Sequence, residues 1–491
     1  MNAAELCLSS ASEIARAIRE GRVGSRAMLD AYLARVERLN PRINAVVATD
    51  LDGARKRADE ADAAIARGES WGPLHGVPVT IKDGIEVVGM PTTAGAPAFR
   101  KHMPKANAPS AQRLIDAGAV VFGKTNVPLF LQDFQSYNPV YGCTNNPWDV
   151  SRSPGGSSGG SAAALAAGLT GLELGSDIGG SLRNPAHWCG VYSHKPSWGI
   201  VPSRGHIPGP PGTLGRSDLA TIGPMARSAE DLALALSLVA GPDVLDAAGW
   251  KLALPACEKP LKDFRVLAWL EDGSCPVDAE VSTPLNNMVE TLRRQGVPVE
   301  TAPPAGIKLR EHYDLYLKLL TAAFSAGVPP KMFARMRHMA WFTSLFRKPA
   351  LDELPGYAGG ITQRHRDWVI ANEMRERLRW KWADLFARYD VVLMPVVPVT
   401  ALKHLHEGNL FSRKITVNGQ ARPYADLMAW IAPPTLSYLP VTIAPVGLSP
   451  GGLPVGVQVV GSFLGDRATI QFAQELARVL PPPVWNEARL G

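Results

Sequence analysis

Short runs of almost exclusively apolar residues recur along the 491-residue chain. They include VPVTI at 77–81, VVF at 120–122, VVLM at 391–394 and VGVQVV at 455–460. Runs of this kind indicate strands that are buried on both faces, and helical patterns lie between them. The sequence therefore predicts an α/β fold. We expect one large domain, residues 1–491, with a central mixed, mostly parallel, twisted sheet covered by helices on both faces.

Residues 305–390 depart from this alternation, because they read as helical and are rich in aromatic residues and arginine. Their aromatic side chains include Trp341, Phe342, Phe346, Trp368, Trp380 and Trp382. We predict a helical insertion here that forms a lid, a wall of a substrate pocket or part of the core. The run MAWFTSLFRK at 339–348 is apolar with a basic end, which also suits a membrane-facing helix.

Charge and cysteine usage exclude several protein classes. The formal net charge of +6 is spread over the chain without a dense Lys/Arg block, which argues against nucleic-acid binding. The five cysteines form no CxxC pair, so we expect reduced thiols in a cytoplasmic protein. The N-terminal residues lack the apolar segment of a secretory signal, and no apolar run is long enough to predict a transmembrane helix.

The glycine- and serine-rich segment SPGGSSGGSAAALAAGL at 153–169 is the strongest local signal for chemistry. A flexible linker is a poor interpretation, because SAAALAAGL favours a helix and a second glycine-rich loop follows within LELGSDIGG at 172–180. A phosphate-binding loop would need a lysine between the last glycine and the hydroxyl residue, whereas Ser161 directly follows Gly160. Two hydrolase interpretations remain.

The first is a nucleophile elbow, since GSSGG at 156–160 matches G-x-S-x-G and would make Ser158 the nucleophile. An elbow needs a strand before it, and the prolines in NNPWDVSRSP at 145–154 disfavour one. The second is a serine–lysine hydrolase. Lys82 ends an apolar strand, where desolvation could lower its pKa enough for it to act as a base. These patterns alone leave both interpretations open.

Longer motifs distinguish them by resemblance. The segments GPLHGVPVTIKD at 72–83, GKTNVPLF at 123–130, GSDIGGSLRNPA at 175–186 and LPVGVQVVG at 453–461 occur in the same order as in the amidase signature family of C–N hydrolases. The chain resembles that family from about residue 10 to about residue 480. The fold that the resemblance implies is the α/β fold predicted above.

The resemblance also implies a catalytic triad. Lys82 would be the base, Ser157 the proton bridge and Ser181 the nucleophile. Ser157 would be held by a cis peptide bond after Gly156, and Ser158 would support Lys82 through a hydrogen bond. The nucleophile would thus lie in the second glycine-rich loop rather than in the first.

Two further features of the second loop follow from the same resemblance. Asp177 and Arg183 flank the loop and would pair with each other or anchor it. Backbone N–H groups of this loop would face the oxyanion that develops on the substrate, because glycine lets the backbone approach closely. The expected oxyanion donors are Ile178, Gly179, Gly180 and Ser181.

No metal and no organic cofactor are predicted. His187, His194 and His206 follow the nucleophile loop, but their spacing is not that of metal ligands and the Ser–Lys mechanism does not need them. We expect them to be structural. His404 and His406 alone are weak evidence for a metal.

The predicted activity is hydrolysis of small, fairly hydrophobic linear amides, aryl or alkyl, through an acyl-enzyme intermediate. Carbamate (urethane) or ester hydrolysis would use the same chemistry. A glutamine-dependent amidotransferase subunit, which would need a partner chain, is the alternative from the same fold, and a non-catalytic binding module is disfavoured by the intact triad. The expected partner is a small-molecule amide, with a homodimer as a further expectation, and without nucleic acid or an obligatory membrane.

Overall fold

A mixed sheet of eleven strands organises the part of the chain that the computed structural model describes, residues 2–207, 209–347 and 349–490. The strands of the chain are β1 (Val46–Thr49), β2 (Pro78–Lys82), β3 (Val120–Thr125), β4 (Tyr137–Asn138), β5 (Gly142–Cys143), β6 (Glu173–Asp177), β7 (Tyr192–Lys195), β8 (Thr221–Ala226), β9 (Val266–Ala268), β10 (Val299–Thr301), β11 (Val391–Pro395), β12 (Lys414–Val417), β13 (Gln420–Pro423), β14 (Val441–Leu448) and β15 (Pro454–Val460). The sheet order is β1-β3-β2-β6-β8-β7-β14-β15-β11-β9-β10, and β4–β5 and β12–β13 form separate hairpins.

Helices connect and flank these strands. They are α1 (Ala3–Leu6), α2 (Ala11–Arg19), α3 (Ser25–Ile43), α4 (Leu51–Ala66), α5 (Pro109–Asp116), α6 (Gly159–Ala166), α7 (Arg183–Cys189), α8 (Ala229–Val239), α9 (Ala279–Arg294), α10 (Leu309–Phe324), α11 (Pro330–Ser344), α12 (Leu354–Ile361), α13 (His365–Phe386), α14 (Ala432–Leu436) and α15 (Asp466–Val479). The predicted α/β architecture, a mixed sheet flanked by helices, is confirmed.

Parallel pairing is confined to two parts of the sheet. β2 is parallel to β3 and β6, and β9 is parallel to β10 and β11. The remaining neighbours, including all those from β6 through β15 to β11, are antiparallel. The sheet thus contains fewer parallel strand pairs than the predicted, mostly parallel sheet would have. A strand that is buried on both faces is apolar in either direction, so its composition does not reveal the direction of its neighbours.

Two close approaches bring the glycine-rich segments to the sheet. Every residue of α6 is buried, and a Cβ atom on Gly160 would lie 2.3 Å from the backbone nitrogen of Asn126 at the end of β3. β2 and β6 are parallel neighbours, with Ile81 opposite Leu174, so their carboxyl ends lie side by side. Lys82 and the residues after β6 are therefore adjacent.

The region 305–390 contains α10, α11, α12 and α13. Its aromatic residues divide between two environments: Trp382 is fully buried, whereas Trp341, Phe346 and Trp380 are 62%, 75% and 72% exposed. α11 contains no buried residue. Lys348, the last residue of the run MAWFTSLFRK, lies outside the described residues. Across the described ranges, no helix combines the length and the apolarity needed to cross a membrane.

Candidate active site

Lys82 ends β2 with its side chain fully buried. Its Nζ lies 2.7 Å from Ser157 Oγ, 2.9 Å from Ser158 Oγ and 3.0 Å from Ser176 Oγ. Burial lowers the pKa of Lys82 from 10.5 to about 7, against the opposing effect of two carboxylates on β6. A lysine with this pKa is largely neutral near physiological pH, so its amine can accept a proton from a hydroxyl group.

Ser157 and Ser158 lie on the loop that leads into α6. The Gly156–Ser157 peptide bond is cis, as the resemblance predicted. The backbone at Gly156 lies so close to a neighbouring loop that a Cβ atom on Gly156 would be 2.4 Å from Asp133 O. This position therefore requires glycine. Packing on both sides fixes the two serine hydroxyls beside Lys82.

Ser181 lies on the second glycine-rich loop, between β6 and α7. The two loops are joined where the Ser158 N–H donates to Ser181 O at 3.1 Å. Ser181 is 8% exposed, compared with 2% for Ser157 and 0% for Ser158. Of the three serines, Ser181 is thus the one most open to a substrate. Full burial of Ser158 counts against the elbow interpretation, in which Ser158 would have to reach a carbonyl carbon.

The backbone of the nucleophile loop corrects one oxyanion prediction. The Gly180 N–H donates to Asp177 Oδ1 at 2.9 Å, so this group is engaged within the protein. The N–H groups of the other three predicted donors, Ile178, Gly179 and Ser181, make no hydrogen bond with the described residues. Gly180 instead shapes the turn, because its φ is +94° and a Cβ atom there would lie 2.1 Å from Ile431 Cδ1. Its neighbours are therefore better placed to bind an oxyanion.

Asp177 and Arg183 form an ion pair whose side chains are both fully buried. The pair therefore anchors the loop that contains Ser181. Arg183 donates from Nη2 to Asp177 Oδ1 at 2.8 Å and from Nε to Oδ2 at 3.0 Å. Its remaining donors reach Ile431 O, Gln458 Oε1 and Thr435 Oγ1. Burial alone would raise the pKa of Asp177, but the charge and hydrogen bonds of Arg183, together with Lys195 and the Leu182 N–H, lower that pKa to about 2.

Two residues at the site were not singled out from the sequence, Ser176 and Tyr316. Ser176 Oγ lies between Lys82 Nζ and His206 Nε2, 2.8 Å from the latter. From α10, the Tyr316 hydroxyl donates to Ile178 O at 2.9 Å and so braces the nucleophile loop. No sequence signal pointed to them, because Ser176 lies in a stretch that reads as a loop and Tyr316 lies far along the chain.

The histidines after the nucleophile loop separate into two groups. His187 bonds the Gly456 backbone, and His194 contacts Asp466 and Thr442, both away from Lys82. These two are structural, as expected. His206 is one hydrogen bond removed from the lysine network, and burial, together with the charge of Lys82, lowers its pKa to about 3. The His206 imidazole is therefore neutral at the pH values at which Lys82 titrates.

Comparison with known proteins identifies the family. The family model described as Amidase matches residues 27–470, and the chain belongs to this amidase family. As a member, it is an amide hydrolase, and the resemblance drawn from its motifs is confirmed.

Three relatives illustrate the range of the family. The chain is 32% identical to a glutamyl-tRNA(Gln) amidotransferase subunit from Anaeromyxobacter sp. (strain K), over 98% of both chains. It is also 32% identical to fatty-acid amide hydrolase 2-A from Danio rerio, over 96% of this chain and 89% of the relative. A solved amidase structure, 28% identical, superposes with a TM-score of 0.76 over 96% of this chain and 100% of the other.

Proposed function

We propose that this protein hydrolyses the C–N bond of small, fairly hydrophobic linear amides, with Ser181 as nucleophile, Ser157 as proton bridge and Lys82 as base. The observation that carries the proposal is the fully buried Lys82 amine, 2.7 Å from Ser157 Oγ and with its pKa lowered to about 7. A neutral amine in this position gives a serine hydroxyl the base that it otherwise lacks.

In the acylation step, Ser181 Oγ forms a bond to the amide carbonyl carbon. The Ser181 proton passes to Ser157 Oγ, and the proton of Ser157 passes to Lys82 Nζ. The carbonyl oxygen becomes an oxyanion, toward which the N–H groups of Ile178, Gly179 and Ser181 would donate. Preorganised donors of this kind are worth about 3–4 kcal/mol each in the transition state.

Collapse of this intermediate breaks the C–N bond. Ser157 gives its proton to the leaving nitrogen and regains one from Lys82, so the departing group is a neutral amine. Water then attacks the acyl-enzyme by the same route in reverse, which releases the acid and restores the Ser181 hydroxyl. Lys82 ends each half-reaction as a neutral amine, so no net proton remains on it.

Apolar surroundings support a hydrophobic substrate. Ile431 lies against Gly180 of the nucleophile loop, and the ring of Tyr316 lies on α10 close to the same loop. Exposed aromatic side chains on α11 and α13 extend the apolar surface of the insertion. The relative named fatty-acid amide hydrolase acts, by its name, on amides with an apolar acyl group.

The alternative substrate is glutamine, because another relative is named an amidotransferase subunit. The purified chain, incubated separately with an anilide, a matched carbamate, a matched ester and glutamine, distinguishes these cases by the amine, alcohol or ammonia released. We expect the anilide to be the best nitrogen substrate and the Ser181→Ala variant to be inactive on all four. Faster ammonia release from glutamine would overturn the hydrophobic-amide proposal.

A cytoplasmic location and a homodimer are further parts of the proposal. The location is argued from the free cysteines.

A further inference from the structure

One cysteine and two histidines meet at a point outside the catalytic triad. Cys143 ends β5, and His404 and His406 lie on the segment between β11 and β12. Cys143 Sγ is 3.6 Å from His404 Nδ1 and 3.8 Å from His406 Nε2, and the three atoms all lie within 4.8 Å of one another. The sequence did not predict this cluster because its thiol lies 261 residues before the first histidine.

We propose that Cys143, His404 and His406 form a binding site for a thiophilic divalent cation of the zinc type. Two donors on one tetrahedral zinc, at about 2.3 Å for sulfur and about 2.0 Å for nitrogen, lie about 3.5 Å apart. The two sulfur–nitrogen distances, 3.6 and 3.8 Å, lie close to this value. The two imidazole nitrogens need to approach by at most about 1.5 Å, since they lie within 4.8 Å of each other and their tetrahedral spacing is about 3.3 Å. His406 is exposed and can make this adjustment.

The donor chemistry selects the type of cation. A thiolate with two neutral imidazoles favours zinc-type ions, whereas magnesium and calcium prefer oxygen ligands. On binding, the Cys143 thiol loses its proton to solvent, so one proton is released and one metal–sulfur bond forms. Three protein ligands leave the fourth position to water.

The surroundings hold the ligands in place. His406 stacks on Tyr137, with ring centroids 3.9 Å apart and planes at 20°, and Tyr137 pairs with Cys143 across the β4–β5 hairpin. The same hairpin thus carries the thiol and orients an imidazole. The charge of Arg413, which acts on His406, is opposed by Asp133, whose Oδ2 lies 2.6 Å from Arg413 Nη1.

The site connects two segments that border the triad. Leu405, between the two histidines, exchanges two hydrogen bonds with the Gln135 side chain, each 2.8 Å long. The backbone at Asp133–Gln135 packs directly against Gly156, beside Ser157. A bound cation would therefore restrict the motion of this backbone, which packs beside Ser157, without taking part in the reaction. We expect it to stabilise the fold.

Cobalt titration of the chelator-treated, full-length protein tests this site. Co²⁺ bound to a thiolate gives a near-ultraviolet sulfur-to-metal charge-transfer band, which excess Zn²⁺ removes by competition. We expect one Co²⁺ per chain in the wild type, no band in Cys143→Ser and at least about tenfold weaker binding in His406→Ala. The matched controls are Cys257→Ser and His338→Ala, which change a partly exposed thiol and an exposed imidazole elsewhere. Both should titrate like the wild type.

Thermal unfolding provides a second readout that does not involve activity. Zn²⁺ should raise the Tm of the wild type and of both controls, and leave that of Cys143→Ser unchanged. A wild type without the charge-transfer band would overturn the proposal. A band that persists in Cys143→Ser, or that disappears in Cys257→Ser, would overturn it as well.

Discussion

The pH dependence of amide hydrolysis provides the sharpest test of Lys82. Only the neutral amine can accept the proton, and burial sets the pKa of this group at about 7. Since the folded-state pKa is lowered, the reactive form is lost as the pH falls. For a substrate whose chemistry limits the rate, kcat/KM should fall about tenfold per pH unit below this pKa and reach a plateau above about pH 8.

The structure gives the size of the effect. With the ordinary pKa of 10.5, about one Lys82 amine in a thousand would be neutral at pH 7.5, whereas with a pKa of about 7 roughly three-quarters are neutral. Burial thus supplies on the order of three decades of reactive base at this pH. Lys82→Arg introduces a guanidinium that does not deprotonate in this range, so its rate should fall by at least about a thousandfold.

Lys124 on β3 provides the matched control, because it is also fully buried and burial lowers its pKa to about 8. The assay is kcat/KM for an anilide from about pH 5 to about pH 9, with circular dichroism confirming the fold of each variant. Lys124→Met should keep a midpoint near 7. A flat wild-type profile would refute the reasoning, and so would a folded Lys82→Arg variant with wild-type activity.

Mutations at the two loops give the remaining predictions. Ser181→Ala should abolish hydrolysis and leave the Tm unchanged, because the acyl-enzyme cannot form; activity within about tenfold of the wild type would exclude Ser181 as nucleophile. Ser157→Ala should slow amide hydrolysis more than that of a matched ester, since an amine must be protonated to leave, and equal losses would contradict its role as proton donor. Ser158→Ala removes one hydrogen bond to Lys82, worth about 0.5–3 kcal/mol, and should be milder; peptide mapping of a fluorophosphonate adduct that found Ser158 labelled would reverse these roles. Arg183→Met should lower the free energy of unfolding in urea by about 3–5 kcal/mol because it leaves the Asp177 carboxylate buried and unpaired, and a loss below about 1 kcal/mol would show that the pair does not anchor the loop.

Strands with a strong apolar signature could be predicted from the sequence, and β6 could not. β2, β3, β11 and β15 contain the runs of valine, isoleucine and leucine that indicate buried strands. β6 has the sequence ELGSD, whose glycine, serine and aspartate disfavour a strand and predict a loop. It forms because β2 and β8 pair with it on either side. Such an effect of tertiary context leaves no mark in the local sequence.

The site shows a similar division. Lys82, Ser157 and Ser181 can be predicted from the order of the motifs, because each lies within a long characteristic segment. The direction of the Gly180 N–H could not be found, since it depends on which backbone groups the Asp177 carboxylate accepts from. The contact of His206 with Ser176 depends on a loop that returns across the sheet end. Residue spacing contains no information on either.

The reach of Arg183 has a consequence for how the protein is made. This side chain fastens the nucleophile loop to Ile431, Thr435 and Gln458, which lie 248, 252 and 275 residues further along the chain. A ribosome that has made the chain as far as Ser181 has therefore made every proposed member of the triad. It has made none of the three later residues that accept hydrogen bonds from Arg183. The growing polypeptide should stay inert until β15 has left the ribosome, so that amide hydrolysis begins only after Gln458 can accept its hydrogen bond from Arg183.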